Sequence, residues 1–331
     1  VKANKGAAGV DRETVAATEA WLADAGNMGS LLRSLRDDAY EPQPVRGVEI
    51  SKPSGGVRQL GIPTVRDRLV QQMLAQALEP FFEPSFSDSS YGFRPGRSTH
   101  DALRAASEYV ADGFVIAVDI DLKAFFDEVN HDVLMSRLAR RIGCRVILRL
   151  IRRFLQAGLM QGGVASVRAK GTPQGGPLSP LLSNILLDEC DRELDRRGHR
   201  FVRYADDLTM FVGSKAAGER VMTSVTRLLE GRLRLRVNRE KSAVEHVRHR
   251  TILGYRVGRG GRLQMAPSSL KRCKDRVRRI TRRNRGARLD RVITELRDYL
   301  LGWVTYFRLA DCKGHLQRLD EWLRHRLRCY R

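Results

Sequence analysis

Apolar positions in this chain follow two rhythms, and the places where each one stops carry most of the information. Period-two runs of β-prone residues predict strands. One is Phe114-Val-Ile-Ala-Val118-Asp119-Ile120-Asp121, which closes on acids. A second is Phe201-Val-Arg-Tyr204, followed by Ala205-Asp206-Asp207 and another β-prone run through Val212; it reads as a hairpin with its acids at or beside the turn. A third, Val45-Arg46-Gly-Val48-Glu-Ile50-Ser-Lys52, meets the turn signal Pro53-Ser-Gly-Gly56 and returns as Val57-Arg58-Gln-Leu60. That predicts a hairpin with Lys and Arg near its tip. Leu235-Arg-Val237 predicts a short strand before a turn over 238–242.

Helical spacing accounts for most of the rest. Val15, Leu22, Leu31, Leu32 and Leu35 make 1–40 loosely helical after a Gly-rich entry. Leu69, Val70, Met73, Leu74, Ala77 and Leu78 give an amphipathic helix over 64–83 that should stop at Pro80 and Pro84. Residues 100–110 predict a helix leading into the Asp121 strand. Residues 130–159 read as largely helical with an arginine-rich solvated face, and 181–194 and 216–233 predict two more helices. From Ser268 onward three apolar stripes predict three helices with basic outer faces, the first holding Leu270, Cys273, Val277 and Ile280.

The acids change the picture. Adjacent carboxylates in an apolar setting repel each other and lose hydration, so a cation would stabilise them. Mg²⁺, which takes one or two carboxylates plus substrate phosphates, is the simplest candidate; an exposed acidic turn would look the same locally. Alternation places Asp119 and Asp121 on one side of their strand, with Asp121 nearer its end. Asp121 with Asp206 and Asp207 would suit a two-metal site for in-line displacement at phosphorus.

Charge points the same way. Sixty Lys and Arg against 38 Asp and Glu leave a net +22, and residues 248–331 hold 24 basic against 7 acidic residues. An excess concentrated in the last quarter fits a polyanionic partner such as nucleic acid. Arg278, Arg279, Arg282 and Arg283 are candidate phosphate contacts there. So are Arg94 and Arg97, where Tyr91-Gly-Phe93-Arg94-Pro-Gly-Arg97 mixes aromatics, glycines and arginines; a tight structural loop would account for Tyr91 and Phe93 nearly as well. Cys144, Cys190, Cys273, Cys312 and Cys329 form no close pair and no zinc spacing, as in a reducing cytosol. No apolar run is long enough to span a bilayer.

The order of motifs resembles the reverse transcriptases encoded by group II introns, over nearly the whole chain. The resemblance rests on Asn4-Lys5-Gly6-Ala-Ala-Gly9-Val10-Asp11, Ser51-Lys-Pro-Ser-Gly-Gly-Val-Arg58 through Pro63, and Ser90-Tyr-Gly-Phe-Arg94-Pro-Gly-Arg97-Ser. It continues through Asp121-Leu-Lys-Ala-Phe-Phe126-Asp, Gly171-Thr-Pro-Gln174 through Pro180, and Tyr204-Ala-Asp-Asp207. Asn238-Arg-Glu-Lys241-Ser, Leu253-Gly-Tyr255 and a maturase-like Leu301-Gly-Trp303-Val-Thr-Tyr306-Phe complete it.

The resemblance implies an α+β right-hand polymerase with fingers, a palm carrying an antiparallel sheet, and a helical thumb. It implies fingers over 1–100, a palm over 101–264 with a finger-like helical insertion at about 130–165, and a thumb or maturase-specific region over 265–331. RNA-directed DNA synthesis would follow, with two Mg²⁺ ions (Mn²⁺ as a substitute) held by Asp121, Asp206 and Asp207. Lys52, Arg58 and Arg46 would grip the triphosphate, Phe126 would lie beneath the sugar, and Gln174 would approach the template–primer. Lys241 would protonate the departing pyrophosphate. The implied partners are an RNA template, a DNA or RNA primer, dNTPs and structured intron RNA in a bacterial cytosol or nucleoid, with no membrane.

An RNA-binding maturase with polymerisation secondary, or a host-adopted, defence- or CRISPR-associated enzyme, are the alternatives. The chain opens on Val1 rather than Met, as part of a longer protein would. It ends without the DNA-binding and endonuclease parts that the family often carries, which puts cleavage of target DNA in doubt.

Overall fold

The computed structural model describes every residue except 5, 52–56, 162–163, 167–169, 174 and 331, and gives backbone alone for Arg58, Gln161 and 164–166. The chain begins with α1 (Val15–Ala23) and α2 (Ala25–Arg36), then β1 (Val45–Ser51), β2 (Val57–Ile62), α3 (Val65–Phe82) and α4 (Thr99–Ala111). Next come β3 (Ile116–Ile120), α5 (Phe125–Glu128), α6 (His131–Ala139), α7 (Arg145–Gln156), β4 (Leu159–Gln161), β5 (Val164–Ser166) and α8 (Ser179–Arg196). β6 (Arg200–Tyr204), β7 (Asp207–Val212), α9 (Lys215–Gly231) and β8 (Ala243–His246) follow. β9 (Tyr255–Val257) and β10 (Leu263–Met265) lead to α10 (Pro267–Ile280), α11 (Leu289–Tyr306) and α12 (Lys313–Arg328).

The central sheet has the order β6-β7-β3-β8 and every neighbouring pair is antiparallel. Both its faces are buried, which is why its strands read as near-continuous apolar runs. Val118, Ile120, Phe201, Leu208 and Met210 join a core with α8 and α9. The alternate residues Ala117, Val202 and Phe211 join a second core with α4 and the C-terminal helices. Close seating of α9 depends on Gly218, where a Cβ would fall 2.5 Å from Val244 Cγ1. A smaller sheet, β2-β1-β4-β5, is assembled around the predicted β1–β2 hairpin.

The three C-terminal helices form as the apolar stripes predict, and Cys273, Val277 and Ile280 are buried. Aromatic side chains tie them to the central part. Tyr255 stacks at 5.0 Å on Phe307, and the Tyr306 hydroxyl donates to Leu253 O at 2.7 Å. The Tyr306 carbonyl lies 2.7 Å from a ring nitrogen of His100 on α4.

Three expectations need correction. Pro80 does not end α3, which continues to Phe82, because Leu78 and Phe82 are both buried on the face the helix presents to the core. Residues 130–159 are largely helical as expected, in two helices with a break at 140–144. Their arginines are not a bare solvated face: Arg137 pairs with Glu189, Arg152 with Asp132, and Arg149 and Arg153 with Asp38. Residues 235–237 form no strand; Val237 makes only an isolated bridge to Leu122, and the edge strand is β8, eight residues later than expected.

Candidate active site

The acids are gathered at one end of the central sheet. Tyr204 pairs with Asp207 as the last rung of the β6–β7 ladder, leaving Ala205 and Asp206 as a two-residue turn. Ala205 takes φ 59° while Asp206 stays negative, the combination a type II′ hairpin needs. On the neighbouring strand Ile120 pairs with Leu208, so the next residues in register are Asp121 and Asp207. Strand alternation turns Asp119, Asp121, Asp207 and Thr209 toward the side of the sheet where the C-terminal helices pack.

A buried polar network holds that turn. Arg203, one residue before Tyr204, is 1% exposed and meets the fully buried Asp191 of α8. Its Nε donates to both Asp191 oxygens at 2.8 Å, Nη1 donates to Asn184 Oδ1 at 2.9 Å and to the Ala205 carbonyl at 2.8 Å, and Nη2 donates to Ser90 Oγ at 2.7 Å. Gly92 presses on the other side of the turn, where a Cβ would lie 2.2 Å from Ala205 N. An alanine in a left-handed conformation is thus fixed from two directions. The sequence reading missed Arg203, Asp191 and Asn184. The available signal was a cation inside the apolar run Phe-Val-Arg-Tyr and an acid inside Leu-Leu-Asp-Glu-Cys-Asp.

The loop after α9 supports Asp121. Its N–H donates to Ser242 Oγ at 3.0 Å, and its carbonyl accepts from Asn238 N at 2.8 Å. The same loop brings the exposed Lys241 Nζ to 3.9 Å from Asp121 Oδ2. Asp119 is engaged elsewhere, accepting from Thr209 at 3.1 Å and from Arg250 Nε at 3.2 Å.

Among the described residues no group of three or more His, Cys, Asp or Glu side chains is drawn together closely enough to hold a metal ion. Mg²⁺ needs only one or two carboxylates from the protein and completes its shell with water and phosphate, so the acids at this end of the sheet still fit it. The donor chemistry fits as well, because the negative charges reinforce one another. Asp207 reaches solvent but sits among protein walls; loss of hydration first, then Asp206, Asp119 and Asp121, push its carboxyl up to about 6.

The other predicted residues divide. Phe125 is buried core, whereas Phe126 is half-buried and lines a cleft of about 530 Å³ with Leu60, Arg68, Phe93, Gly175 and Gly176. Arg46 is half-buried on β1, and its Nε has no hydrogen-bond partner among the described residues. Lys52, Gln174 and the side chain of Arg58 lie outside the described residues.

Arg94 is not a phosphate contact. It is 8% exposed, with Nε donating to Glu83 at 2.9 Å and Nη1 to the Ser90 carbonyl at 2.8 Å, so it braces its own loop. Arg97 keeps a partly open face while pairing with Asp88. Arg279, Arg282 and Arg283 are exposed; Arg278 is exposed but bonded to Asp275 at 2.6 Å.

A carboxyl pushed up to about 6, above its unfolded value of 3.8, binds its proton more tightly in the native state. That contribution favours the metal-free fold below about pH 4 and is lost as pH rises through 6. In EDTA, Asp207→Asn should therefore be more stable than wild type at pH 7, with the difference shrinking toward pH 4.5. Urea unfolding of both proteins at the two pH values reads the difference.

Comparison with known proteins identifies the family and the fold. Residues 50–257 match the model of reverse transcriptase (RNA-dependent DNA polymerase), and residues 270–331 match the group II intron maturase-specific domain. The chain is 35% identical over 269 residues to Protein YkfC of Escherichia coli, covering 68% of this chain and 71% of that protein. It is 39% identical over 163 residues to the group II intron-encoded protein LtrA of Lactococcus lactis, covering 49% of this chain but only 27% of LtrA. Telomerase from Candida albicans superposes with a TM-score of 0.55 at 13% identity, over 95% of this chain and 63% of that one, a likeness of fold. The mixed α+β architecture is that of a right-hand polymerase. This chain belongs to the reverse transcriptase family, the RNA-dependent DNA polymerases, and carries the maturase-specific domain of the group II intron type.

Proposed function

We propose that this chain adds deoxynucleotides to a primer 3′-hydroxyl on an RNA template, at the end of the central sheet. The observation that carries this reading is the register that sets Asp121 across from Asp207, with Asp206 in the β6–β7 turn. These three carboxylates would hold two Mg²⁺ ions. When bound, the metal supplies charge neutralisation for the triphosphate and acidifies the attacking hydroxyl.

The chain's own residues do the positioning. The Arg203 network holds the turn, Ser242 and Asn238 hold the Asp121 backbone, and Arg250 keeps Asp119 occupied. Lys241, exposed and 3.9 Å from Asp121, would give a proton to the leaving pyrophosphate. Phe126, which lines the cleft, would lie beneath the sugar and exclude a 2′-hydroxyl, which has no hydrogen-bond partner against a ring. Lys52, Arg58 and Arg46 would meet the triphosphate. Fingers, palm and thumb would divide near residues 100 and 264.

A second reading is supported by the maturase-domain match and the basic C-terminal quarter: this chain also binds structured intron RNA. The same exposed arginines would serve a primer–template duplex and a folded intron.

Primer extension on an RNA template, with Mg²⁺ and with EDTA, tests the first reading. Wild type should extend only with metal. Asp206→Asn should lower kcat by about a thousandfold, the equivalent of several kcal/mol of charge stabilisation, with RNA binding nearly intact. Wild-type rates from that variant would overturn the assignment.

Phe126→Ala should raise ribonucleotide relative to deoxynucleotide incorporation by roughly 10-fold or more, read as the ratio of the two kcat/KM values. An unchanged ratio in the folded variant places the sugar gate elsewhere.

For the basic helices, replacing Arg279, Arg282 and Arg283 with Ala should lower the log–log salt slope of RNA binding by roughly 0.7–0.9 for each phosphate that is no longer neutralised. A slope identical to wild type would mean that these side chains meet only solvent.

A further inference from the structure

Phe93 is an aromatic side chain in a backbone conformation that bulky residues seldom adopt. Its φ is 59°, and the residue remains 50% exposed. Burial therefore does little to offset the local strain, and an outlier of this kind calls for another account.

The neighbours prevent relaxation. On one side, Gly92 lies against the backbone of Tyr204 and Ala205, and its carbonyl accepts from Asn184 Nδ2 at 2.9 Å. Tyr91 is buried, and its N–H donates to the Arg203 carbonyl at 2.9 Å. On the other side, the Arg94 guanidinium is locked onto Glu83 and Ser90. The loop is thus fixed immediately before and after Phe93, and the ring is held at the wall of the cleft that Phe126, Arg68 and the glycine backbone of 175–176 also line.

A flat apolar face held open beside an arginine and close to the acidic turn suits a ligand that is flat and apolar on one surface and anionic on another. Resting on the polymerase reading of this site, we propose that Phe93 is a base-stacking residue: its ring receives a nucleobase, from the template or from the incoming nucleotide. Stacking on an aromatic ring tolerates every base, as copying an arbitrary template requires. Tyr91, two residues earlier, is core. Because Gly92 touches the turn that carries Asp206, the stacking platform and the acidic turn share one rigid seat.

The test uses the full chain, a primer lacking its 3′-hydroxyl so that no chemistry occurs, and 2-aminopurine, whose fluorescence falls on stacking. One arm places it at the templating position; the other supplies it as the incoming deoxynucleoside triphosphate. With wild type, the arm that reports the stacked base should be quenched. In that arm Phe93→Ala and Phe93→Gly should lose the quench and weaken binding by roughly 5- to 100-fold, while Phe93→Trp retains both.

Thermal melting separates stacking from strain. Phe93→Gly should melt above Phe93→Ala, since glycine alone accepts the left-handed conformation freely. The reverse order would overturn the strain argument. Quenching by the alanine and glycine variants equal to wild type in both arms would overturn the proposal. If the wild type extends an ordinary primer in that case, the polymerase reading still stands; if it extends none, that reading has failed on its own terms.

Discussion

The arrangement of this site depends on one buried ion pair. Arg203 and Asp191 are both withdrawn from water, and burying two charges costs about as much as their attraction returns. What the pair supplies is geometry. The guanidinium fork reaches α8 through Asp191 and Asn184, the loop before α4 through Ser90, and the hairpin turn through the Ala205 carbonyl. Three segments distant in sequence therefore meet at one planar group with no spare donor directions. A lysine there would keep the charge and lose the fork.

Around that pair the central sheet must tolerate a concentration of negative charge at one end. It does so by dividing the acids between two environments. Asp119 is matched by Arg250 and Thr209, so it behaves as part of the scaffold. Asp207 is instead pushed up by lost hydration and by the acids around it, while Lys241 approaches Asp121 only at 3.9 Å. The unbalanced part of the charge lies at the open mouth of the sheet, where a divalent ion and a triphosphate would offset it.

The basic character of the chain divides in the same way. Many arginines of α6 and α7 are held in ion pairs, and Arg94 is buried, so these contribute little free positive surface. The C-terminal helices keep Arg279, Arg282 and Arg283 open while an aromatic cluster around Tyr255, Tyr306 and Phe307 anchors them to the sheet. A rigid root with a charged outer face suits contact with a phosphate backbone without requiring the helices to fold on binding.

Local periodicity was enough to determine the strands that end in acids, the hairpin turn between Tyr204 and Asp207, most helices, and the three basic C-terminal helices. Each of these is encoded by residues a few positions apart, and the motif order made the family legible. Spacing alone could not decide which cations are free. Arg94 and Arg97 look equivalent in sequence, yet one is a buried brace and the other keeps an open face. Nor could it show that Pro80 would be carried through α3 by burial on both sides, or that the edge strand would form at 243–246 rather than 235–237. The seat of the acidic turn was equally hidden, because Ser90 and Arg203 are separated by 113 positions. Hydrogen bonds and ion pairs of that span are selected by which surfaces the packed core brings together, and no local pattern records the choice.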